Sequence, residues 1–467
     1  MEEQPPPPEF PDEPPLGPPL PPVPPGSVRP ALPWEPPAEL AEVPSRRRWP
    51  IFVGALVVLA LLVTLVVRHD WNDDEVAGDR DPRPAPVEPD DTTTTTEAAP
   101  PEATTTTTAP TEEEFDAVVL EIQHFVEDER GLSFERPPVV ELADDQEFED
   151  ALLADFDQDA DQLALAGQSL EAIGLLEPGT DLVETYRTLL GAGVVGFYDP
   201  ETGKLLVRGT STSPYVRTVM AHELTHALDD QHFDLSRPDL DDTHDEQSTG
   251  FTALVEGDAV HVEDAYRATF TPEEEDAASQ EELRLGSDPR LFDVPIPLIE
   301  ALQTPYELGP GLIDAILAAG GQGQLDTSFA VPPTTSEQML DPQAYIDGQG
   351  AVAVTPPTAD GTETDHGVLG ELGIAQLLGQ GPLLNPGPLD PAVVGWGGDQ
   401  YVTWTGPDGQ ACLRDVVVGD TPEDTAELLA ALQRWTTNPP VFSSPVDATV
   451  AGGTDGTPIT LTSCALS

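Results

Sequence analysis

The sequence predicts an α+β chain: a mostly helical globular part with a small antiparallel sheet, set behind a disordered tail, one long apolar segment and a low-complexity stalk. Three observations carry this. Apolar residues recur at helical spacing through much of 114–467. One stretch, 193–208, changes to two apolar runs around a turn. The first 113 residues show no pattern that could bury a core.

Residues 1–45 hold eighteen of the 53 prolines, in runs such as "PPLPPVPP". That composition favours polyproline II, so 1–48 is expected as a disordered tail, with docking to a cytoplasmic SH3- or WW-like partner as the alternative. Ile51 to Val67 then runs seventeen residues without a charge. As a helix it is about 26 Å long, slightly under a hydrocarbon layer of about 30 Å. Trp49 and Trp71 flank it at interfacial depth, and Arg48 and Arg68 can snorkel. The expectation is an uncleaved transmembrane signal anchor over 49–69. Arg46, Arg47 and Arg48 precede the span and Asp70, Asp73 and Asp74 follow it. The positive-inside rule then implies a single-pass cell-membrane protein with a cytoplasmic N-terminus and the folded part outside the cytoplasm. Residues 70–113, with "TTTTT" twice, read as a stalk.

A net charge of −67 argues against nucleic acid and anionic membrane surfaces as partners. The two cysteines, Cys412 and Cys464, pair as a disulfide or stay as two buried thiols.

The globular part divides into 114–367 and a C-terminal α+β region, 368–467, which is either a separate domain or the back half of the same one. "FDAVVLEIQHFVEDERGL" is an amphipathic helix with Phe115, Val118, Val119, Ile122 and Val126 on one face. Helical segments continue to about Leu190. "GVVGFYDPETGKLLVRG" is a hairpin turning at "DPETG". Ser213 before Pro214 is an N-cap followed by proline at the first helical position. A second helix runs from about Asp245 to Thr269. Short strands are expected around "QYVTW" and "CLRDVVV", and a helix over 422–435.

The helix opened by Ser213 carries "AHELTHALDDQH", residues 221–232. His222 and His226 are four apart on one helical face, a spacing that holds zinc, and Glu223 stands where a general base is needed. Zinc takes a third protein ligand. His232 has the HExxHxxGxxH spacing of metzincins, but Asp229 stands at the glycine that makes the turn. Glu256, in "ALVEGDA", lies in an apolar frame where a buried carboxylate wants a cation. Asp258 either hydrogen-bonds a ligand histidine or merely packs; His244 and His261 read as surface histidines.

"AHELTHALDD" resembles the active-site helix of thermolysin-like enzymes, and "LVEGDA" the third-ligand helix of the thermolysin-like and aminopeptidase-N-like groups. "PYELG", 305–309, is similar to the tyrosine segment of the latter group. The resemblance, over about 200–310, is to gluzincin zinc metallopeptidases. It implies a zincin-like fold with Zn2+ on His222, His226 and Glu256. It also implies Glu223 as general base, zinc-bound water as nucleophile, and Tyr306 donating to the oxyanion. The substrate would be a peptide or protein, held along an edge strand within 193–208. The "GxMEN" strand that binds a free amine in aminopeptidases is absent from the sequence, which favours endopeptidase action. Two alternatives stand: a non-catalytic envelope protein with a structural zinc, and a metzincin-type protease with His232 as third ligand.

Overall fold

The structure, a computed structural model, describes residues 110–154, 160–240, 244–380 and 388–466. The tail, the apolar segment and residues 70–109 of the stalk lie outside the described residues.

Thr111 opens the first helix with a capping box: its hydroxyl accepts from the Glu114 N–H, and the Glu114 carboxylate accepts from the Thr111 N–H. Helix α1 (Glu112–Arg130) stops at Gly131, whose φ of 65° lies in the left-handed region that favours glycine. Strand β1 (Val139–Ala143) follows, inside a stretch expected to be helical. Its reason is non-local: β1 pairs in parallel with β3, from Val139 opposite Lys204 to Ala143 opposite Arg208. No local pattern announces a partner some sixty residues away. Helices α2 (Asp145–Leu152), α3 (Ala160–Ala172) and α4 (Leu182–Gly193) lead to the hairpin of β2 (Gly196–Asp199) and β3 (Lys204–Arg208), turned by Gly203 at φ 67°. The first sheet has the order β1-β3-β2, so it is mixed rather than purely antiparallel, and β2 ends it.

Ser213 caps α5 (Pro214–Phe233), accepting from the Val216 N–H. α6 (Gln247–Arg267), α7 (Pro272–Gly286), a short 3-10 turn and α8 (Ile296–Gly320) complete the helical part around α5. Short helices α9 (Gln322–Ser328), α10 (Glu337–Leu340) and α11 (Pro342–Asp347) follow. One core joins Ile122 and Val126 of α1, Leu205 and Val207 of β3, Met220 and Leu224 of α5, and Val262 of α6. A second joins Phe251 and Leu254 of α6 to Leu312 and Ile316 of α8.

The second sheet is antiparallel throughout, in the order β4 (Glu363–Gly367), β5 (Trp396–Thr405), β6 (Ala411–Gly419), β8 (Ile459–Ala465), β7 (Val446–Gly452). Helices α12 (Gly370–Leu377), α13 (Pro391–Val394) and α14 (Pro422–Trp435) accompany it. Ala172, Ile173 and Leu175 pack into the core of this sheet, and the Ser463 hydroxyl donates to the Ala172 carbonyl at 2.6 Å. The region 368–467 therefore shares its core with residues far upstream, and its first strand begins at Glu363. Cys412 and Cys464 stand opposite one another on β6 and β8 and are joined as a disulfide.

The expected cell-membrane location is corrected. Ile51–Val67 lies outside the described residues, and among the described residues no helix is long and apolar enough to cross a membrane. The longest, α8, has 25 residues but carries Glu300, Glu307 and Asp314, and its apolar side is used by the protein's own core. The expected transmembrane anchor, single-pass topology and extracytoplasmic placement are corrected with it.

Candidate metal centre

Helix α5 is buried on nearly every side from Tyr215 to Asp229, so its polar residues cannot be a solvated face. His222, Glu223 and His226 are all fully buried among them. Polar groups taken that far from water need partners. α6 supplies one, because Glu256 is also fully buried. The His222 Nε2 lies 3.1 Å and the His226 Nε2 3.4 Å from the same oxygen, Glu256 Oε2. One donor atom from each of the three residues lies within 4.8 Å of the others, the only such metal-ligand set among the described residues.

α6 reaches His222 twice. Glu263, two turns after Glu256 and on the same face, accepts from the His222 Nδ1 at 3.0 Å. This fixes the ring so that Nε2 points at Glu256, which is how a carboxylate orients a metal-binding histidine. Sequence reasoning offered Asp258 for this role and missed Glu263. The signal was present in the seven-residue spacing of two glutamates within an apolar helix. Asp258 instead sits 2.7 Å from the Arg130 Nε.

The electrostatics follow from burial and these contacts. Burial alone would lower the His222 imidazole, but its hydrogen bonds to Glu256 and Glu263 outweigh that and hold it up at about 10. For Glu256 burial works upward, yet the His226 and His222 rings hold it down at about 2. Burial lowers His226. Burial pushes the Glu223 carboxyl well above its ordinary range. The Tyr198 main chain is near enough to ease the charge on Glu223, and no side chain hydrogen-bonds to it.

Tyr306 of α8 lies beside the cluster, its ring stacked on His222 at 6.1 Å between centroids and 21° between planes. Strand β2 crosses α5 at the same level. A Cβ built on Gly196 would stand 2.6 Å from Val219 Cγ1 and 3.3 Å from Glu223 Cγ, so only glycine lets the strand pass this close. The Tyr198 hydroxyl donates to Asp230 at 2.7 Å and ties β2 to the end of α5.

His232 is not brought to the cluster. α5 runs on past Asp229 and turns only at Asp234, the one non-glycine residue of positive φ among the described residues. Carried along the helix, His232 is exposed, with its Nε2 2.9 Å from the Ser133 carbonyl. His261 lies 3.9 Å from Asp314 at the surface, and His244 stacks on His366.

The donor set could hold a metal ion. Ligand atoms about 2.0–2.2 Å from a tetrahedral zinc stand roughly 3.4 Å apart. Both donor separations are close to this, and the partnerless His226 Nδ1 leaves buried polarity that the protein alone does not satisfy. Compared with known proteins, the chain matches no family model, no curated protein and no solved structure.

Proposed function

We propose that this protein is a zinc-dependent metallopeptidase, acting as an endopeptidase on peptide or protein substrates. The observation that carries the reading is the convergence of His222, His226 and Glu256 with Glu223 fully buried beside them. His222, His226 and Glu256 hold the metal. A bound zinc supplies an acidified water and a polarised carbonyl at neutral pH. Glu223 takes a proton from the attacking water and passes it to the leaving amine, a task suited to a carboxylate whose proton affinity burial has raised. Tyr306 takes the oxyanion-donor role on the resemblance of "PYELG" and on its place beside His222. The outer edge of β2 offers main-chain groups to an extended peptide next to Glu223.

One observation favours a second reading, a structural zinc site in a non-catalytic protein: all four central side chains are fully buried. Structural sites are closed, whereas catalytic ones keep a position open.

The two readings separate on purified full-length protein. Metal analysis should find zinc in the parent, and cleavage of peptides should stop with a chelator and return with zinc. Glu223→Gln keeps shape and removes the base, so it should retain zinc and lose about 10²–10⁴-fold in rate. A parent that holds zinc and cleaves no peptide, with Glu223→Gln equally silent, assigns the structural role. A Glu223→Gln variant as fast as the parent would place the activity elsewhere.

A further inference from the structure

The last residue of α1 is an arginine with 1% of its surface exposed, which a helix end does not need. Its guanidinium is shared between the two helices of the metal centre. Nη2 donates to Asp229 Oδ1 at 3.0 Å, and Nε lies 2.7 Å from Asp258 Oδ2. Asp229 follows His226 by one turn of α5, and Asp258 follows Glu256 by two residues on α6. Both carboxylates are fully buried. The remaining nitrogen, Nη1, donates to Gln322 Oε1 at 2.7 Å, Asp326 is 3.7 Å from Nη2, and the Phe329 ring lies 6.0 Å away, so the fork is held from the α9 side as well.

We propose that Arg130 is a positioning residue of the metal centre: one guanidinium, by holding Asp229 and Asp258, sets the spacing between the His222–His226 pair and Glu256, so that metal affinity depends on a residue of α1. The inference rests on the metal-site reading above. Its physical basis is the rigid planar fork. Two nitrogens at fixed separation, one hydrogen-bonded to Asp229 and one paired in charge with Asp258, define the distance between the two carboxylates, which stand within a turn of the ligands on stiff helices. A lysine keeps the charge but is a single point on a flexible stem and cannot fix that distance. A buried arginine with no such role would serve the fold equally well with its ion pairs replaced by neutral groups of similar volume.

The test uses full-length protein and measures zinc affinity by chelator competition, the visible spectrum of the cobalt(II) form, and thermal unfolding of the metal-free protein. Arg130→Lys should fold, bind zinc about 10–100-fold more weakly, as loss of an outer partner does, and give a cobalt spectrum different from the parent's. The triple variant Arg130→Met, Asp229→Asn, Asp258→Asn removes the buried charges together. It should fold and still show weakened zinc binding and an altered spectrum. Either variant folding with the parent's zinc affinity and spectrum overturns the proposal. Failure of both to fold would show that the cluster holds the fold as a whole, and overturns it too. A parent that binds no zinc, or whose affinity survives Glu256→Gln, brings down the metal-site reading and this inference with it. A parent that binds zinc beside an unaffected Arg130→Lys brings down this inference alone.

Discussion

Glu263 illustrates how a single residue acquires its role. Nothing about its type separates it from the many other acidic side chains in a chain of net charge −67. What separates it is that α6 turns it toward the ring nitrogen of His222 that Glu256 does not face. The contact fixes the ring, with Nδ1 turned to Glu263 and Nε2 turned to Glu256. Glu263→Gln keeps the volume and can still accept through its amide oxygen, but it removes the charge. Zinc affinity should fall by about 10–100-fold, read by chelator competition. Affinity equal to the parent's would show that His222 is oriented by packing alone. His232→Ala should leave affinity unchanged, since that ring is engaged by the Ser133 carbonyl at the surface.

At the scale of elements, two glycines decide how Glu256 and Tyr306 come to face one region. α6 and α8 cross with backbones in contact: a Cβ built on Gly257 would stand 2.4 Å from the Gly309 carbonyl carbon, and one on Gly309 would stand 2.4 Å from the Ala253 carbonyl oxygen. Gly257 is the neighbour of Glu256, and Gly309 is one turn past Tyr306. Close packing therefore sits at the level of the site rather than elsewhere along two long helices. Gly257→Ala has no flexible neighbour to displace, so the helices must separate. The cost should be about 1–3 kcal/mol, the usual range for overpacking. Gly311→Ala on the same face-rich helix is the control: a Cβ there meets nothing within 4 Å, and alanine should be neutral or stabilising by up to about 1 kcal/mol. Equal melting temperatures for the two variants would contradict the backbone contact.

For the molecule as a whole, the buried carboxylates set a pH dependence. Burial pushes Glu371 up to about 8, with Glu337 and Glu246 adding repulsion, and pushes Glu246 up to about 7 against a hydrogen bond from Ser336. Glu282 is pushed by burial to about 7 despite Arg267. A carboxyl raised in the folded state holds its proton where the unfolded chain has released it. Between about 4.5 and 8 the native state binds more protons, so stability falls as pH rises. In metal-free protein His222 adds to the fall above its ordinary value of 6.5, while His226, lowered, opposes the fall below 6.5. Below 4.5 the sign reverses, because carboxyls such as Glu275 and Asp288 are lowered by their arginine partners and lose those bonds on protonation. Chelator-treated protein should therefore melt higher at pH 5 than at pH 8, and Glu371→Gln should flatten that slope. A melting temperature that climbs from pH 5 to pH 8 would refute the assignment.

The sequence by itself determined what depends on neighbours along the chain. Ser213 and Pro214 start α5, "DPETG" turns the β2–β3 hairpin, and the four-residue step from His222 to His226 puts both rings on one face, because each follows from local backbone chemistry and helical period. Glu256 was legible for a related reason: a carboxylate in an apolar helical frame has to meet something. Only the tertiary structure decided the rest. Whether Asp258 or Glu263 serves His222, where His232 ends up and why Arg130 is buried all depend on how α1, α5 and α6 pack. So do the parallel pairing of β1 with β3 and the seating of Ala172 against the second sheet. The reason is physical. A contact between residues a hundred positions apart, such as Arg130 with Asp229, carries no local signature, because either partner alone looks like an ordinary charged residue at a helix surface until both are removed from water together.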